Sequence, residues 1–448
     1  MEDKIPTLEE KYLKDIIEEK FEIPIYQRPY KWRKEHVIQL LDDLYENIYL
    51  KNDSIYRVGS IIIHDDNKTQ TKNIVDGQQR LTTLSMILFF LNSDQKLLSN
   101  QNHNLEISKN NIKFNYSIIK EWFETKQIEN TLFLEKILSH CQFIVIIVHK
   151  QDEAFQLFDS QNSRGKPLYP HDLLKAFHLR EMEKNGSKQD KMEFYSTKWE
   201  YFLLKDENPL LDIINNHLFR IRKWAKGERN YYFSKKDLNE FKGISLYKKN
   251  KFNYERTLRL LDGAIENSQN NQILRNFSMA QQFPFQINMP IINGKNFFDY
   301  IFHYIELKEL LFTYNKNSDF LKFNQQWKEY YGWWRSGDEK VCNLYQNICL
   351  HYVDRFGLDY FGVVYYHEFF KNSYQLRLDN KAISDNSILN YYKAQKFFHL
   401  ISNCYIPEEL HPQLFCNYSN DWKDDGYAKG VKPIHDFLTN NKITNENE

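Results

Sequence analysis

The chain has 448 residues, 42% hydrophobic and 16% aromatic, and its 60 basic and 60 acidic residues give a formal net charge of +0. That length predicts two or three domains with sizeable cores, and the charge balance excludes a bulk field for nucleic acid or membrane, so any such surface is a local patch. A mean hydropathy of -0.68, apolar runs no longer than "CQFIVIIVH" and "LSMILFFL", and a charged N-terminus without an apolar h-region predict a cytoplasmic protein with no membrane span.

Taken in chain order, "TLEEKYLKDIIEEKF" predicts a first helix, with Thr7 and Glu10 as a capping box and Leu8, Tyr12, Ile16 and Ile17 on one face. "FEIPIYQRPYKW" is expected to be extended, because Pro24 and Pro29 disfavour helical geometry in the residue before each. "RKEHVIQLLDDLYENIYL" carries Val37, Leu40, Leu41, Leu44 and Ile48 at helical spacing. "YRVGSIIIHDDNKTQTKNIV" predicts a hairpin, and "VDGQQRLTTLSMILFFL" a strand end, a turn and an apolar helix. A polar helical segment, a buried strand "CQFIVIIVHK", a helix over "DEAFQLFDSQ", a loop "NSRGKPLYP" and a helix "HDLLKAFHLREMEKN" follow. Gly186 and Ser187 mark the expected boundary between a domain at 1–188 and a mainly helical one at 189–440, with 441–448 a disordered tail. The fold class expected is α+β.

The five cysteines, Cys141, Cys342, Cys349, Cys404 and Cys416, form no CxxC pair and have no histidine spacing suited to zinc. They are expected to be reduced, mostly buried thiols.

The stretch "DGQQRLTT" admits two readings. In one, Asp76 and Gln79 form a capping box, Gly77 relieves the turn, and Leu81, Leu84, Ile87 and Leu88 are core. That leaves Gln78, Arg80, Thr82 and Thr83 unexplained. In the other, the helix start with its free N–H groups holds a phosphate, with Arg80 as a bidentate contact and the threonine hydroxyls as donors. Two further clusters bear on this. "PIYQRPYKW" interleaves Tyr26, Gln27, Arg28, Tyr30, Lys31 and Trp32, a mixture suited either to stacking on a base or to an aromatic-rich edge strand. "NSRGKPLYPHDLLK" offers Asn162, Arg164, Gly165 and Lys166, then Asp172 and Lys175. It lacks the first glycine and the hydroxyl residue of a Walker A loop.

"IPIYQRPYKW", "VGSIII", "IVDGQQRLTTL" and "FDSQNSRGKPLYPHDLLKA" together resemble, in order and spacing, the ParB/sulfiredoxin-like (DUF262) domain of GmrSD-type, type IV modification-dependent restriction enzymes of anti-phage defence. The later segments "QINMPIINGKNFFDYI" and "RSGDEKVCNLYQNICLHYVDRFG" resemble the helical half of the GmrS-type subunit less sharply. The resemblance implies a small ParB-like nucleotide-binding domain followed by a helical one. It also implies a nucleoside triphosphate with Mg²⁺ as cofactor, and catalytic roles for Asp76, Gln78, Gln79 and Arg80. By the same resemblance Tyr26, Gln27, Arg28, Tyr30, Trp32, Gly59, Ser60, Gly77, Thr82, Thr83, Asn162, Arg164, Gly165, Lys166, Asp172 and Lys175 contribute to nucleotide binding. Two departures stand out: glutamine occupies the turn where sulfiredoxins need a cysteine, and Tyr169 stands where a small hydroxyl residue is usual.

Many relatives end in an HNH nuclease, but His399, His411 and His435 lie apart without its pattern, so the expected partner is a separate HNH nuclease subunit. DNA, including modified phage DNA, is the expected substrate. Arg220, Arg222, Lys223, Lys226 and Arg229, then Lys248 and Lys249, are the expected phosphate contacts, against the alternative of a solvated helix face. Whether the protein forms a homodimer stays open, as do a non-hydrolysing ParB-like clamp and an N-terminal domain that itself nicks DNA.

Overall fold

The computed structural model describes residues 5–51, 54–66, 71–91, 97–98, 106–150, 153–154, 157, 169–249, 251–270, 285–314, 320, 323, 337–380, 382–410 and 434–435. The chain divides into two compact units, Met1–Ala176 and Phe177–Glu448.

The first unit is built on a mixed sheet of five strands among the described residues, in the order β1-β5-β3-β4-β2. β1 (Thr7–Tyr12) runs antiparallel to β5 (Cys141–Val148), from Thr7 opposite Ile147 to Tyr12 opposite Gln142. The helix expected from Thr7 is therefore corrected: residues 7–12 form an edge strand, and α1 is only Leu13–Ile17. Pairing along the free edge of β5 outweighs a capping signal, since local propensity is a weak prior against tertiary hydrogen bonds. β2 is the two-residue strand Phe21–Glu22, parallel to β4. The chain then turns rather than extends, with the Gln27 N–H donating to Pro24 O at 3.0 Å.

α2 (Lys34–Leu44) buries Val37, Leu40, Leu41 and Leu44 and runs on into a π-helical turn, Tyr45–Leu50, that buries Ile48. β3 (Tyr56–Asp66) and β4 (Thr71–Asp76) pair antiparallel as the sequence predicts, and β3 pairs with β5 in parallel. Between β4 and β5 lie α3 (Gln78–Phe90), α4 (Glu106–Lys126) and α5 (Asn130–His140). The strand alternation sends Ile61 and Ile63 to one face, against the core of α1–α5, and Ile62 to the other, with Val75, Val148 and Ala154. Both faces of the central strands are thus covered, which accounts for their near-continuous apolar sequence. α6 (Pro170–Lys184) closes the unit and runs across the division between the two.

The second unit is helical: α7 (Gln189–Leu204), α8 (Pro209–Asp212), α9 (Phe219–Ala225), α10 (Asn253–Asn270), α11 (Lys295–Glu309), α12 (Asp338–Phe356), α13 (Val363–Asp379), α14 (Asp385–Gln395) and α15 (Phe397–Asn403). Its aromatics interlock, as where Trp199 meets Phe298 edge-on at 5.5 Å. The architecture is α+β, a small mixed sheet followed by helices. Among the described residues no helix is long and apolar enough to cross a membrane. The four described cysteines are free thiols, and burial pushes Cys342 up to about 12.

Candidate functional site

The site the sequence points to is the β4–α3 junction, and two β-bulges shape it. Opposite β5, Val58 is the extra residue of β3, because Arg57 faces Gln142 while Gly59 faces Phe143. Opposite β3, Val75 is the extra residue of β4, because Ile62 faces Asp76 while Ile63 faces Ile74. A bulge takes backbone groups out of the ladder, and something else has to satisfy them.

Two candidate residues do this. Gln27 Nε2 donates to Ile74 O at 3.1 Å and Val75 O at 2.8 Å. Arg80 donates from Nη1 to Val58 O at 3.3 Å and from Nη2 to Ser60 O at 2.7 Å, and lies 3.9 Å from Asp76. Burial holds the Arg80 pKa below its ordinary value, partly offset by Asp76. Gly59 sits at φ +141, and a Cβ there would lie 1.8 Å from Arg80 Nη1, so the glycine is the opening through which the guanidinium reaches its carbonyls. Of the groups expected to face phosphate, Arg80, Gly59 and Ser60 are therefore engaged with one another.

The second half of the motif clamps the loop that follows β2. Gln79 does not join a capping box with Asp76. Its Oε1 accepts from Lys31 N at 2.8 Å, and its Nε2 donates to Pro29 O at 3.2 Å. Gly77, at φ +97, is the N-cap instead, with Leu81 N–H reaching Gly77 O at 3.0 Å. Tyr30 is fully buried, its hydroxyl 2.8 Å from Thr83 Oγ1. Burial pushes that phenol up to about 12. Tyr30, Gln79 and Thr83 thus hold the 23–32 loop to the start of α3. Trp32 stacks on His36 with centroids 5.8 Å apart, and Tyr26 and Arg28 are half-buried in the same loop.

What remains at the helix start is a distinct set. No side chain caps α3, so the N–H groups of Gln78, Gln79 and Arg80 lie in its uncapped first turn. Gln78 and Thr82, at i and i+4, share one face and are both buried. Among the described residues, neither Gln78 Oε1 nor Thr82 Oγ1 has a hydrogen-bond partner. Buried polar atoms without partners are costly, so a pair of them on the first turn of a helix calls for an explanation. Asp76, half-buried at the end of β4, lies beside them in sequence.

The third expected cluster is only partly accessible. Asn162, Arg164, Gly165 and Lys166 lie outside the described residues. Asp172 caps α6, its carboxylate accepting the Tyr169 N–H at 3.3 Å, with Pro170 at the first helical position. Without a short hydroxyl side chain at position 169, the Asp172 N–H is met by Tyr169 O at 3.0 Å instead. Lys175 is buried in α6.

In the second unit, two of the residues expected to contact DNA are buried. Arg220 is buried, donating from Nε to Tyr231 O at 3.1 Å and lying 3.8 Å from that ring's centroid. Arg222 is buried against Glu240 at 2.9 Å and the carbonyls of Ile287 and Met289. Lys223 pairs with Glu228 and Glu240, and Lys226 with Glu240. Arg229 donates to Asn390 at 2.7 Å. Arg220 and Arg222 thus lie inward against acceptors, whereas Lys226 and Arg229 stay exposed. Lys248 and Lys249 are exposed.

Sequence reasoning missed the polar face of α4. Ser108 accepts Tyr30 N at 3.1 Å, Asn111 donates to Tyr30 O at 2.8 Å, and Asn115 donates to Trp32 O at 2.8 Å. The spacing of these three residues along one helix face was the available signal.

The first unit coincides with a known domain. The family model described as GmrSD restriction endonuclease, N-terminal domain, matches residues 10–179. A family of unknown function, DUF7834, matches residues 191–429, just over half of the chain. The chain belongs to the DUF7834 family and carries a GmrSD-type N-terminal domain. No curated protein matches it.

Proposed function

We propose that this GmrSD-type protein is the nucleotide-dependent specificity subunit of a modification-dependent DNA restriction system, hydrolysing a nucleoside triphosphate at the start of α3 and acting with a separate HNH nuclease. The observation that carries the reading is the pair of buried, unpartnered atoms, Gln78 Oε1 and Thr82 Oγ1, beside an uncapped helix N-terminus. Such a terminus offers N–H groups and a positive dipole end to a phosphate.

Each residue then has a task. The N–H groups of Gln78, Gln79 and Arg80 hold phosphate oxygens. The Gln78 amide orients the attacking water, and the Thr82 hydroxyl donates to the transferred phosphoryl group or its water. Arg80, Gln27 and Gln79 act as positioning residues, holding the bulged strands and the 23–32 loop that frame the site. Asp76 suits Mg²⁺, which binds through one or two carboxylates plus substrate phosphates and supplies charge neutralisation there. Among the described residues no group of three or more His, Cys, Asp or Glu is placed to hold a metal by itself.

A second reading is a non-hydrolysing clamp. It is favoured by the commitment of Arg80 to Val58 O and Ser60 O, because phosphoryl transfer usually recruits a cation for developing charge. Phosphate release from ATP, GTP, CTP and UTP, with and without modified DNA and with a Gln78→Met control, separates the two. Turnover that the control loses supports hydrolysis; binding without turnover supports the clamp.

A further inference from the structure

A cleft of about 790 Å³ opens within the second unit, between the end of α6, the 245–249 turn, α10 and the start of α11. That volume lies in the range of small-ligand sites. Its walls are rigid for identifiable reasons. Gly186, at φ +77, ends α6 with two closing bonds, Gly186 N–H to Glu183 O at 2.9 Å and Ser187 N–H to Met182 O at 3.0 Å. The Arg259 guanidinium donates to three carbonyls, those of Ser245, Leu246 and Lys248, which fixes the turn that presents Tyr247.

Tyr247 is the aromatic wall. It is 41% exposed, its hydroxyl donates to Glu181 at 3.2 Å, and the ammonium groups of Lys184 and Lys248 stand 5.6 and 5.5 Å from its ring centroid. Acceptors line the interior: Asn185 Oδ1 is buried with no partner among the described residues, and Asp262 accepts from Asn296 Nδ2 at 2.7 Å. A few residues further along the chain, the exposed rings of Phe252 and Tyr254 stack at 5.9 Å and 11°, with Lys251 5.3 Å from the Phe252 centroid. Aromatics alternating with lysines on one exposed segment form the platform on which successive bases stack.

We propose that the cleft takes one nucleotide of single-stranded DNA, its base stacked on Tyr247, with neighbouring bases on Phe252 and Tyr254 and the phosphodiesters on Lys184, Lys248 and Lys251. The mixture of charges selects this ligand over a free nucleoside triphosphate. Asp190, Asp262 and Glu266 share the cleft with its lysines, which penalises the charge that a triphosphate concentrates on one nucleotide but tolerates the single charge per nucleotide of a strand. The Asn185 oxygen and the carboxylates accept from exocyclic amino groups. Exposed rings outside the cleft serve a polymer and do nothing for a mononucleotide. The choice of DNA over RNA rests on the restriction reading; the cleft itself does not.

The test is fluorescence anisotropy of the purified full chain, without nucleotide, titrated against a short labelled single-stranded oligodeoxynucleotide rich in adenine and cytosine, the duplex of the same length and the RNA equivalent. The expected result is a clear preference for the DNA single strand, about tenfold weaker affinity for Tyr247→Ala, and retained affinity for Tyr247→Phe, which keeps the ring. Lys184→Gln combined with Lys248→Gln should lower the slope of log K against log salt by about 1.4. Equal binding to duplex, preference for RNA, unchanged affinity in a folded Tyr247→Ala protein, or no binding by the folded wild type overturns the proposal. Because every titration is free of nucleotide, a protein that hydrolyses nothing would sink the proposed enzymatic function and leave this result standing.

Discussion

Arg80 and Gly59 form one device, and a double-mutant cycle measures it. Arg80→Ala removes a charged donor from two backbone carbonyls, Ser60 O at 2.7 Å and Val58 O at 3.3 Å. Each such bond contributes about 1.5–3 kcal/mol, and with the side chain 23% exposed the lower end applies, for about 3 kcal/mol in all. Gly59→Ala places a methyl 1.8 Å from Nη1 and 3.0 Å from Cζ, so Arg80 must leave; the φ of +141 adds strain of about 1–3 kcal/mol. The single Gly59→Ala change should therefore cost about 5 kcal/mol. The double variant should cost no more than that, because Arg80 is already displaced in the single one. Urea denaturation of the four proteins gives the coupling, predicted at about 3 kcal/mol. Costs that add within about 0.5 kcal/mol would show that the guanidinium does not occupy the space beside Gly59.

Gln79→Leu removes both bonds to the loop at Lys31 and Pro29 and should cost about 1–3 kcal/mol, with faster hydrogen exchange at the Lys31 amide as the readout. Asp354 gives a pH signature. Burial raises its carboxyl from 3.8 to about 7 despite hydrogen bonds from Tyr304 and the Ile287 N–H. A folded value above the unfolded one means a contribution fully present below the unfolded pKa and lost as pH rises through about 7. Stability should fall by about 4 kcal/mol from this group between acid and mildly alkaline pH, and Asp354→Asn should flatten the profile of denaturation midpoint against pH. Cys141 and Cys349 are buried, with burial raising both thiols, so thiol reagents should label them only on unfolding.

Much of the fold was legible where local pattern and tertiary need agree. Leu81, Leu84, Ile87 and Leu88 are all buried as their spacing implies, and the hairpin and the buried strand at 141–148 stand where alternation puts them. The failures have one physical cause. Residues 7–12 carry a capping signal, yet a neighbouring strand edge offered six backbone pairings that no local window records. The same holds at the site. "DGQQRLTT" announced a helix start, but which polar side chains would serve the backbone depended on bulges at Val58 and Val75, and bulges follow from pairing between distant strands. Arg220 and Arg222 looked like a basic face because their acceptors, Tyr231 O, Ile287 O and Met289 O, belong to other segments.

The most direct test of a ligand site at the start of α3 compares stability and turnover in Thr82→Val and Gln78→Met. Both changes replace an unpartnered buried polar group by an apolar one of similar shape, which is neutral or stabilising when nothing in the free protein satisfies that group. The account predicts a denaturation midpoint equal to or above wild type, together with loss of nucleotide-triggered phosphate release or of the stabilisation that bound nucleotide confers. Variants that unfold earlier and keep full nucleotide response would contradict it, because those two side chains would then be serving the fold and not the ligand.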